Sequence, residues 1–310
     1  MCQLPPLAVA SGFSKIEANG FFVSTQPEIS IVTPSFRGGR WLPLCISSVA
    51  DQHLPLEHIV QDAGSDDGTL DWLNQDPRVQ AFVEKDRGMY DAVNRGFRRA
   101  KADLCAYLNC DEQYLPGALP RVIAFFKKHP DVDILFGDCL VVDSKGEYLC
   151  ERRSLTPRLI HTWTASNLSF LTAATFLRRR ALDAHQLWFN PDYRDAGDQD
   201  WALRTVQAGV KSAVLPEFLS VFTETGANMN LGENASRERL AFHATAPLWA
   251  RVMSPVALVH HRLRRWRAGH YQCRPHNYAI YTQSSASRRK SFEVPEPTFR
   301  WRRVPLDSCP

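Results

Sequence analysis

Apolar and polar residues follow two different patterns along the first half of the chain, one typical of strands and one typical of helices. Five short runs are rich in β-branched and aromatic residues, which is typical of strands. These predicted strands lie at 29–33, 57–61, 79–84, 103–108 and 132–138. The segments between them have helical spacing, over 41–52, 69–74, 89–102 and 116–129. Strands that alternate with helices of this length predict a Rossmann-like α/β fold, whose mostly parallel sheet carries helices on both faces.

The pattern becomes less regular in the second half. The predicted elements there are strands at 168–177 and within 212–224, a helix at 198–209, a helical stretch at 235–268 and a strand pair within 278–301. After Thr225 the composition shifts to Asn, Gly and Glu. We therefore predict an N-terminal extension over 1–27, a main domain over 28–224 and a C-terminal helical and β extension over 225–310.

The composition is that of an ordinary globular protein. Hydrophobic residues make up 44% of the 310 residues and charged residues 23%, and the net charge is +4. That mild charge, with arginines not interleaved with aromatic residues, argues against nucleic-acid binding. No run reaches the roughly 18 apolar residues of a membrane-spanning helix, and the N-terminus lacks the basic start of a signal peptide. The eight scattered cysteines are expected to be reduced thiols. These features predict a cytoplasmic protein.

Polar residues cluster where the predicted strands end. In an open parallel sheet, ligands bind in the crevice at the carboxyl ends of the strands, so we expect these residues to converge. The residues are Pro34 and Ser35 after the first strand, Asp62, Ser65 and Asp67 after the second, Asp86 after the third, and Asn109, Asp111 and Glu112 after the fourth. The alternative for any one of them is a turn or a helix cap, for example at Asp67.

The stretch "YLNCDE" (107–112) places two adjacent carboxylates at the end of a run that otherwise indicates a buried strand. Like charges side by side repel, so a cation, a basic partner or solvent is expected to offset them. The chain has neither the G-x-G-x-x-G of dinucleotide-binding folds nor a P-loop. Carboxylates without such loops suit Mg²⁺ or Mn²⁺, with diphosphate oxygens completing the shell. We therefore expect Asp111 to bind a divalent metal.

Four motifs, taken in order, resemble family 2 glycosyltransferases of the GT-A fold, of the type that builds bacterial cell-surface polysaccharides. They are "SIVTPSF", "EHIVQDAGSDDGT", "EKDRGMYDAVNRGFRRAKADLCAYLNCDEQYLPGAL" and "GDQDWALR", and the likeness covers about 28–224. The resemblance implies an inverting, metal-dependent enzyme that uses a nucleotide-diphosphate sugar, usually a UDP-sugar. It also implies that Asp62 contacts the base, Asp86 lines the nucleotide pocket, and Asn109 to Asp111 occupy the D-x-D position.

The same resemblance places the catalytic base at Asp198, with Asp200 as its rival. Two residues depart from the family pattern: Asn109 replaces the first D-x-D carboxylate, and Gly197 stands where Glu or Ala usually precedes the base. An alternative for Asp200 is a cap on a helix that begins there. The predicted nucleotide-binding set is Pro34, Ser35, Asp62, Ser65, Asp86, Asn94 and Asn109. Second-tier pocket residues are Asp67, Asp91, Glu112 and Asp200.

The segment 251–270 has features of a membrane-surface helix. Val252, Val256, Val259, Leu263 and Trp266 recur at helical steps to form one apolar stripe, flanked by arginines. Such a helix suits an anionic membrane, where a lipid-linked acceptor would be met. The alternative is a helix packed on the main domain with its arginines in water. The acceptor is expected to be either a carbohydrate or a lipid-linked molecule.

Two other function classes stay open at this stage. One is a non-catalytic protein that binds sugar nucleotides, for which Asn109 and Gly197 are the sequence hints. The other is a sugar-phosphate nucleotidyltransferase, although "TPSFRGGRW" fits poorly with the Gly-rich basic loop expected after its first strand.

Overall fold

The computed structural model describes residues 26–164, 168–226, 228 and 232–301. The predicted N-terminal extension 1–27 lies almost entirely outside the described residues.

Nine of the described strands form one curled sheet. Their bounds are β1 Ile29–Ser35, β2 Leu56–Asp62, β3 Gln80–Val83, β4 Leu104–Tyr107, β5 Gln113–Tyr114, β6 Ile134–Asp143, β7 Tyr148–Arg152, β8 Thr175–Arg178 and β9 Ser212–Glu224. The strand order is β3-β2-β1-β4-β8-β6-β9-β5, and β7 pairs with β6. The first four strands are parallel to one another, as are β6 and β9.

Helices cover both faces of this sheet, which confirms the predicted fold class. In the main domain they are α1 Leu42–Ala50, α2 Thr69–Leu73, α3 Met89–Arg99, α4 Ala118–Lys128, α5 Leu159–Thr164, α6 Arg179–His185 and α7 Gly197–Gln207. Side chains of α1 and α4 share one buried cluster with the sheet, and those of α3, α6 and α7 share another. Alternate residues of β1 separate the two clusters: Ile31 belongs to the first and Val32 to the second.

Gly96 sets how closely α3 approaches the sheet. A Cβ atom at this position would lie 2.3 Å from Cγ1 of Val32 in β1. Any larger residue would therefore push the helix away from the sheet. The close approach fixes the N-terminal end of α3, at Met89, beside the carboxyl ends of the strands.

Two predicted elements differ from the structure. The predicted strand 168–177 begins only at Thr175, because Thr172–Ala174 form a 3-10 turn. The predicted helical stretch 235–268 is three helices: α8 Glu233–Ala244, α9 Leu248–Val252 and α10 Ser254–Arg267. Pro247 precedes α9 and Pro255 lies in the first turn of α10. Proline has no N–H for the preceding turn, so it begins a helix more readily than it continues one.

The predicted strand pair near the C-terminus is present as β10 His276–Thr282 and β11 Ser285–Val294. Tyr278, Ile280 and Phe292 of this hairpin pack against Leu140 and Val221 of the main sheet. Arg289 binds both carboxylate oxygens of Asp51, at 2.6 and 2.7 Å, and donates to the carbonyl of Tyr114. This two-point ion pair fixes the hairpin against α1. The boundary at 225 stays a prediction.

Candidate functional site

The predicted site residues follow strands whose carboxyl ends lie at one edge of the sheet. In the register of the parallel strands, Ser35 of β1 pairs with Asp62 of β2, and Asp62 pairs with Val83 of β3. On the other side of β1, Val32 pairs with Tyr107 of β4. Pro34 and Ser35 are both buried at the end of β1. The loops after the four strands therefore start from a common edge.

Asp62 organises the loop that follows β2. Its side chain is fully buried, and it accepts hydrogen bonds from the N–H groups of Gly64 (2.9 Å) and Ser65 (2.7 Å) and from the Ser65 hydroxyl (2.8 Å). The Ser65 hydroxyl in turn accepts the N–H of Arg37 from the loop after β1. The carboxylate thus joins two loops, and its predicted contact with a base stays a prediction.

Asp67 links the same two loops and also caps a helix. Its carboxylate accepts the N–H of Gly39 at 3.0 Å, the N–H of Thr69 at 3.2 Å and the Thr69 hydroxyl at 2.6 Å. The Thr69 hydroxyl is the main cause that lowers the pKa of Asp67. Because Thr69 is the first residue of α2, the capping alternative is the role that the geometry displays.

Asp86 and Asp91 lie on either side of the start of α3. Asp86 accepts the N–H of Gly88 at 2.9 Å, and burial raises its pKa, with smaller contributions from the charges of Asp91 and Asp62. Burial also acts to raise the pKa of Asp91, but hydrogen bonds from Arg95 and from the N–H of Arg87 outweigh it, so that pKa is lowered. The positive charge of Arg95 therefore offsets the negative charge of Asp91, whereas Asp86 forms no ion pair among the described residues.

Asn94 holds a loop from the second half of the chain against α3. Its side-chain NH₂ donates to the carbonyl of Phe189 at 2.7 Å, and its side-chain oxygen accepts the N–H of the same residue at 2.9 Å. Both ends of the amide are used in this way. A contact between Asn94 and a nucleotide stays a prediction.

The two adjacent carboxylates after β4 are largely removed from solvent. Glu112 is 1% exposed and accepts the N–H of Asn109 at 2.9 Å. Burial raises the pKa of both Asp111 and Glu112, and the charge of Asp111 raises that of Glu112 further. The contact recorded for the Asp111 side chain within the described part of the chain is a long one, 3.4 Å, from the amide of Asn228. No arginine or lysine of the described residues pairs with either carboxylate.

Two buried oxygens near these carboxylates have no hydrogen-bond partner among the described residues: Oδ1 of Asn109 and Oγ of Ser35. Ser35 and the neighbouring Cys110 both lie against Gly38, where a Cβ atom would be 3.2 Å from Ser35 Oγ and 3.3 Å from Cys110 Sγ. A buried oxygen without a partner is costly unless a ligand supplies one. These atoms indicate where a ligand would complete the site.

The same residues fit an oxygen-liganded divalent cation. Carboxylates whose pKa is raised by burial gain free energy when a cation binds their charged form. The described residues contain no group of three or more His, Cys, Asp or Glu side chains that could enclose a metal ion. Mg²⁺ and Mn²⁺ do not need such a cage, because one or two carboxylates with water and phosphate suffice.

Asp198 lies in the first turn of α7 and is tied to the strand edge through tyrosines. Its N–H donates to the hydroxyl of Tyr90, the second residue of α3, at 3.1 Å. Its charge also acts on Tyr107, the last residue of β4. Burial raises the pKa of Asp198 to about 6. One carboxylate oxygen, Oδ1, accepts the N–H of Gln199, and Oδ2 has no partner among the described residues.

Gly197 has a packing reason to be glycine. A Cβ atom here would lie 2.6 to 3.0 Å from three ring atoms of Tyr90, which is 2% exposed. Real Cβ atoms do not make such contacts with a buried ring. The departure from the family pattern at this position therefore accompanies close packing of α7 on Tyr90.

Asp200 has a structural partner. The hypothesis that it caps a helix beginning there is wrong, because α7 begins three residues earlier, at Gly197. Asp200 instead accepts a hydrogen bond from Arg204 Nε at 2.9 Å, one helical turn later. Arg204 also donates to the carbonyl of Trp188 at 2.9 Å.

Glu238 of α8 is a residue that the sequence analysis missed. Its carboxylate accepts three consecutive backbone N–H groups, those of Arg194, Asp195 and Ala196, at 2.9 to 3.0 Å. These bonds lower its pKa, although burial alone would raise it. Because the turn 194–196 leads directly into α7, Glu238 fixes the segment that carries Asp198. No motif marks it, since its partners are backbone groups about 40 residues away.

Comparisons with known proteins agree with this arrangement. The model of the family described as "Glycosyl transferase family 2" matches residues 30–186, about half of the chain. The PGL/p-HBAD biosynthesis glycosyltransferase of Mycobacterium tuberculosis (strain ATCC 25177 / H37Ra) is 34% identical over 122 residues, which are 37% of this chain. The match spans 48% of that relative, so the chain covers only about half the length of the curated protein.

Two solved structures share the fold. The S. aureus TarS fragment 1-349 in complex with UDP-GlcNAc superposes with a TM-score of 0.56 at 17% identity, covering 77% of this chain and 73% of that one. The mannosyltransferase PcManGT from Pyrobaculum calidifontis, in complex with GDP-Man and Mn²⁺, gives a TM-score of 0.51 at 19% identity, with 80% and 81% covered. At these identities the likeness shows a common fold.

Replacing Glu238 by glutamine is expected to lower the free energy of unfolding by about 1.5–3 kcal/mol, because an NH₂ group would face N–H donors where an acceptor is needed. Urea denaturation measures this. The lowered pKa of Glu238 means that its stabilisation is fully present above the unfolded pKa of about 4.3 and is lost as pH falls below it. Exposed Glu233→Gln in the same helix is the control, with an effect within about 0.5 kcal/mol. Equal losses in the two variants would contradict this role.

Proposed function

The chain belongs to glycosyl transferase family 2, and we propose that it moves a sugar from a nucleotide-diphosphate sugar, with a UDP-sugar as first candidate, to an acceptor hydroxyl with inversion. The observation that carries the proposal is the common strand edge from which Asp62, Asp86 and Asp111 arise, with Asp198 tied to it. The donor class is supported by the UDP-GlcNAc and GDP-Man complexes of the two proteins that share the fold.

We assign the nucleotide to the loops after β1 to β4. Asp62 and Ser65 brace the two loops that would receive the base, and Pro34 and Ser35 form the end of the strand beneath them. Asp86 forms no ion pair with an arginine or lysine of the described residues, although the charge of Arg95 acts on it. Asp67, Asp91 and Asn94 support this pocket through the loops and the helix start that they hold in place.

A divalent cation, Mn²⁺ or Mg²⁺, would be held by Asp111, and Glu112 would add negative charge next to Asp111. When bound, the cation would supply positive charge to the leaving diphosphate. Oδ1 of Asn109 and Oγ of Ser35, which lack hydrogen-bond partners within the described residues, support a ligand at this point. Asn109 can accept a hydrogen bond from a ribose hydroxyl or from water, but it brings no negative charge to the metal.

Asp198 is our choice for the general base. The oxygen of the acceptor hydroxyl attacks the anomeric carbon as Asp198 takes its proton, and the bond from that carbon to the diphosphate oxygen breaks with its electron pair on the diphosphate. Oδ2 of Asp198, which has no hydrogen-bond partner in the described part of the chain, and the raised pKa of Asp198 support this role. Asp200 is the weaker candidate, because Arg204 already occupies its carboxylate.

The two alternative functions, a non-catalytic binder and a nucleotidyltransferase, are less well supported. Gly197 was one of two hints of a non-catalytic binder, and its contact with Tyr90 gives it a packing role instead. Family membership also disfavours a nucleotidyltransferase.

We place the reaction at the inner face of a membrane, with peripheral contact through 251–270. Among the described residues, no helix combines the length and the apolar character needed to cross a bilayer. The predicted stripe is divided between two helices, since Val252 ends α9 and its other four residues lie on α10. It is nevertheless open to solvent: Val252, Val259 and Trp266 are 68%, 65% and 64% exposed. No Asp or Glu occurs between Glu238 and Glu293, so the stripe has a uniformly basic border. An exposed apolar face with a basic border suits an anionic bilayer and a lipid-linked acceptor.

Asp198→Asn is expected to reduce the release of UDP from a UDP-sugar by about 10²–10⁴-fold, because the proton acceptor is lost. The measurement is UDP production with Mn²⁺ and water as the acceptor. Since the base must be charged and burial raises its pKa to about 6, the wild-type rate should fall about tenfold per pH unit below that value. Asp200→Asn is the matched control, with a loss below tenfold. The reverse ranking would transfer the base to Asp200, and full activity of both variants would contradict the mechanism.

A nucleotide sugar should stabilise the protein in a metal-dependent way. At a concentration about 100 times its Kd, a ligand adds about 2.7 kcal/mol to the free energy of unfolding. Thermal unfolding with UDP-GlcNAc and other nucleotide sugars, with and without Mn²⁺, measures this. Asp111→Asn should remove the Mn²⁺-dependent part of the shift, and exposed Asp183→Asn should keep it. A shift that Mn²⁺ leaves unchanged in the wild type would contradict the metal assignment.

The membrane proposal predicts flotation of the protein with phosphatidylglycerol vesicles at low salt. The double variant Val259→Ser with Trp266→Ser should bind at least tenfold more weakly, because each large apolar side chain contributes about 1.5–3 kcal/mol on burial. Val83→Ser, at an exposed apolar position on β3, is the control and should float as the wild type does. Absence of wild-type flotation at low salt would remove the idea.

A further inference from the structure

A large cavity separates the C-terminal helices from the main domain, and it is distinct from the strand-edge site. Its volume is about 770 Å³, within the range of small-molecule pockets. The walls come from the end of β7 and the residues after it, from the end of α5, from one face of α10, and from Tyr271 and Phe299. None of the residues proposed to bind the donor lines it.

The cavity is basic. Five arginines line it, together with His243 and His261, and no Asp or Glu does so among the described residues. The arginines are Arg152, Arg153, Arg251, Arg262 and Arg265. In the described part of the chain, the ion pair formed by these five is that between Arg153 and Glu151, at 2.8 Å. The other four have no carboxylate partner there.

Gathering these cations without an anion has an electrostatic cost. Burial lowers the pKa of Arg152, and the nearby charge of Arg265 lowers it further. The pKa of His261 is lowered to about 4, by burial and then by Arg265 and Arg264. Nδ1 of His261 is also buried without a hydrogen-bond partner among the described residues. An anion in the cavity would relieve this repulsion and accept charge-assisted hydrogen bonds.

Large apolar side chains also line the cavity, beside a few hydroxyl groups. Trp163, Leu155, Leu258 and Phe299 face the same space as the arginines. A cavity that combines guanidinium groups with large apolar side chains suits an amphiphile whose charged part is a phosphate or diphosphate. An inorganic anion alone would leave the apolar walls without a partner.

The cavity adjoins the helix that carries the proposed base. Trp163 and Thr164 of α5 line it, and the carbonyl of the preceding Thr162 accepts a hydrogen bond from Gln199, the neighbour of Asp198, at 3.2 Å. On its other side α10 presents the exposed apolar stripe, since Val256, Val259, Leu263 and Trp266 follow a helical series separate from that of Leu258, Arg262 and Arg265. The cavity is therefore lined by α10, which also carries the exposed stripe, and by α5, which is hydrogen-bonded to α7.

We propose that this cavity binds the phosphate or diphosphate group of the acceptor, with the acceptor's apolar part against Trp163, Leu258 and Phe299. This inference rests on the proposed glycosyl transfer and names the class of acceptor: a phosphate-bearing amphiphile. The arginines fix the charged group, and α5 connects that position with the first turn of α7.

Calorimetric titration tests the inference directly. The probes are inorganic pyrophosphate and dihexanoyl phosphatidic acid, a short-chain lipid kept below its micelle concentration. EDTA is present throughout, so that the strand-edge carboxylates cannot hold phosphate through a metal. The double variant Arg251→Gln with Arg262→Gln removes two exposed arginines of the cavity. We expect at least tenfold weaker binding, because a hydrogen bond from a charged donor contributes about ten-fold or more to an affinity.

The matched control is Arg267→Gln with Arg288→Gln, which removes the same charge outside the cavity and should change the affinity less than twofold. Arg262→Gln with Arg265→Gln, checked by its thermal unfolding, gives a second pair inside the cavity. Tighter binding of the lipid than of pyrophosphate would support a lipid-borne phosphate, and equal affinities would support recognition of the phosphate itself. No wild-type affinity for either probe, or equal losses in cavity and control variants, would overturn the proposal.

The experiments distinguish an error in the anion-site proposal from an error in the glycosyl-transfer proposal. Asp198→Asn should bind both probes as the wild type does, because Asp198 does not line the cavity. If UDP release proved independent of Asp198 while the arginine variants still lost phosphate, the mechanism would be wrong and the anion site would stand. Intact UDP release with no phosphate binding would remove the anion site alone.

Discussion

The structure depends most on how it treats buried negative charge. A carboxylate removed from water needs donors or cations close by, and the described carboxylates divide sharply by whether they have them. Asp62 accepts three hydrogen bonds from the loop that follows it, Glu238 accepts three from the backbone of the turn before α7 and one from Asn234, and Asp91 has Arg95. Asp111 and Glu112, side by side after β4, have fewer strong donors among the described residues: the N–H of Asn109 donates to Glu112, and Asn228 makes a long contact with Asp111. The first group holds the loops in place, whereas burial raises the pKa of the second group, whose charged form a bound cation would stabilise.

This division also explains how a precise site forms from loops. Loops are more mobile than the strands they follow, so catalytic groups on them need fixing from outside. Asp62 and Asp67 fasten the loop after β2 to the loop after β1, and Glu238 fastens the turn that precedes Asp198. Tyr90 of α3 then contacts the start of α7, through the N–H of Asp198 and through close packing on Gly197. Asp67 and Asn94, which the sequence suggested as pocket residues, also hold these loops in place, and their contact with a ligand stays a prediction.

Sequence alone predicted the parallel half of the fold well, because β1 to β4 are short apolar runs closed by polar residues and separated by helices of standard length. It predicted a strand at 168–177 but not that β8 lies antiparallel between β4 and β6, since strand order depends on long-range pairing. The breaks at Pro247 and Pro255 were visible in the sequence, yet the helical spacing continues through both. The role of Glu238 and the packing of Gly197 could not be predicted from the sequence. The partner of Glu238 is a backbone turn, and that of Gly197 is the ring of Tyr90, each distant along the chain.

The net charge of +4 is the sum of two segments whose net charges have opposite signs. Residues 225–310 carry 14 Lys and Arg against 5 Asp and Glu, so the remaining 224 residues, with 23 against 28, are acidic overall. An acidic strand edge repels a phosphate unless a cation mediates, whereas the arginine cavity attracts one directly. The proposed donor would therefore bind at the strand edge together with a metal, and the proposed acceptor would bind in the arginine cavity without one. This requires the two charge clusters to be separate, and α5 and α7 lie between them: α5 lines the cavity, and α7 carries Asp198.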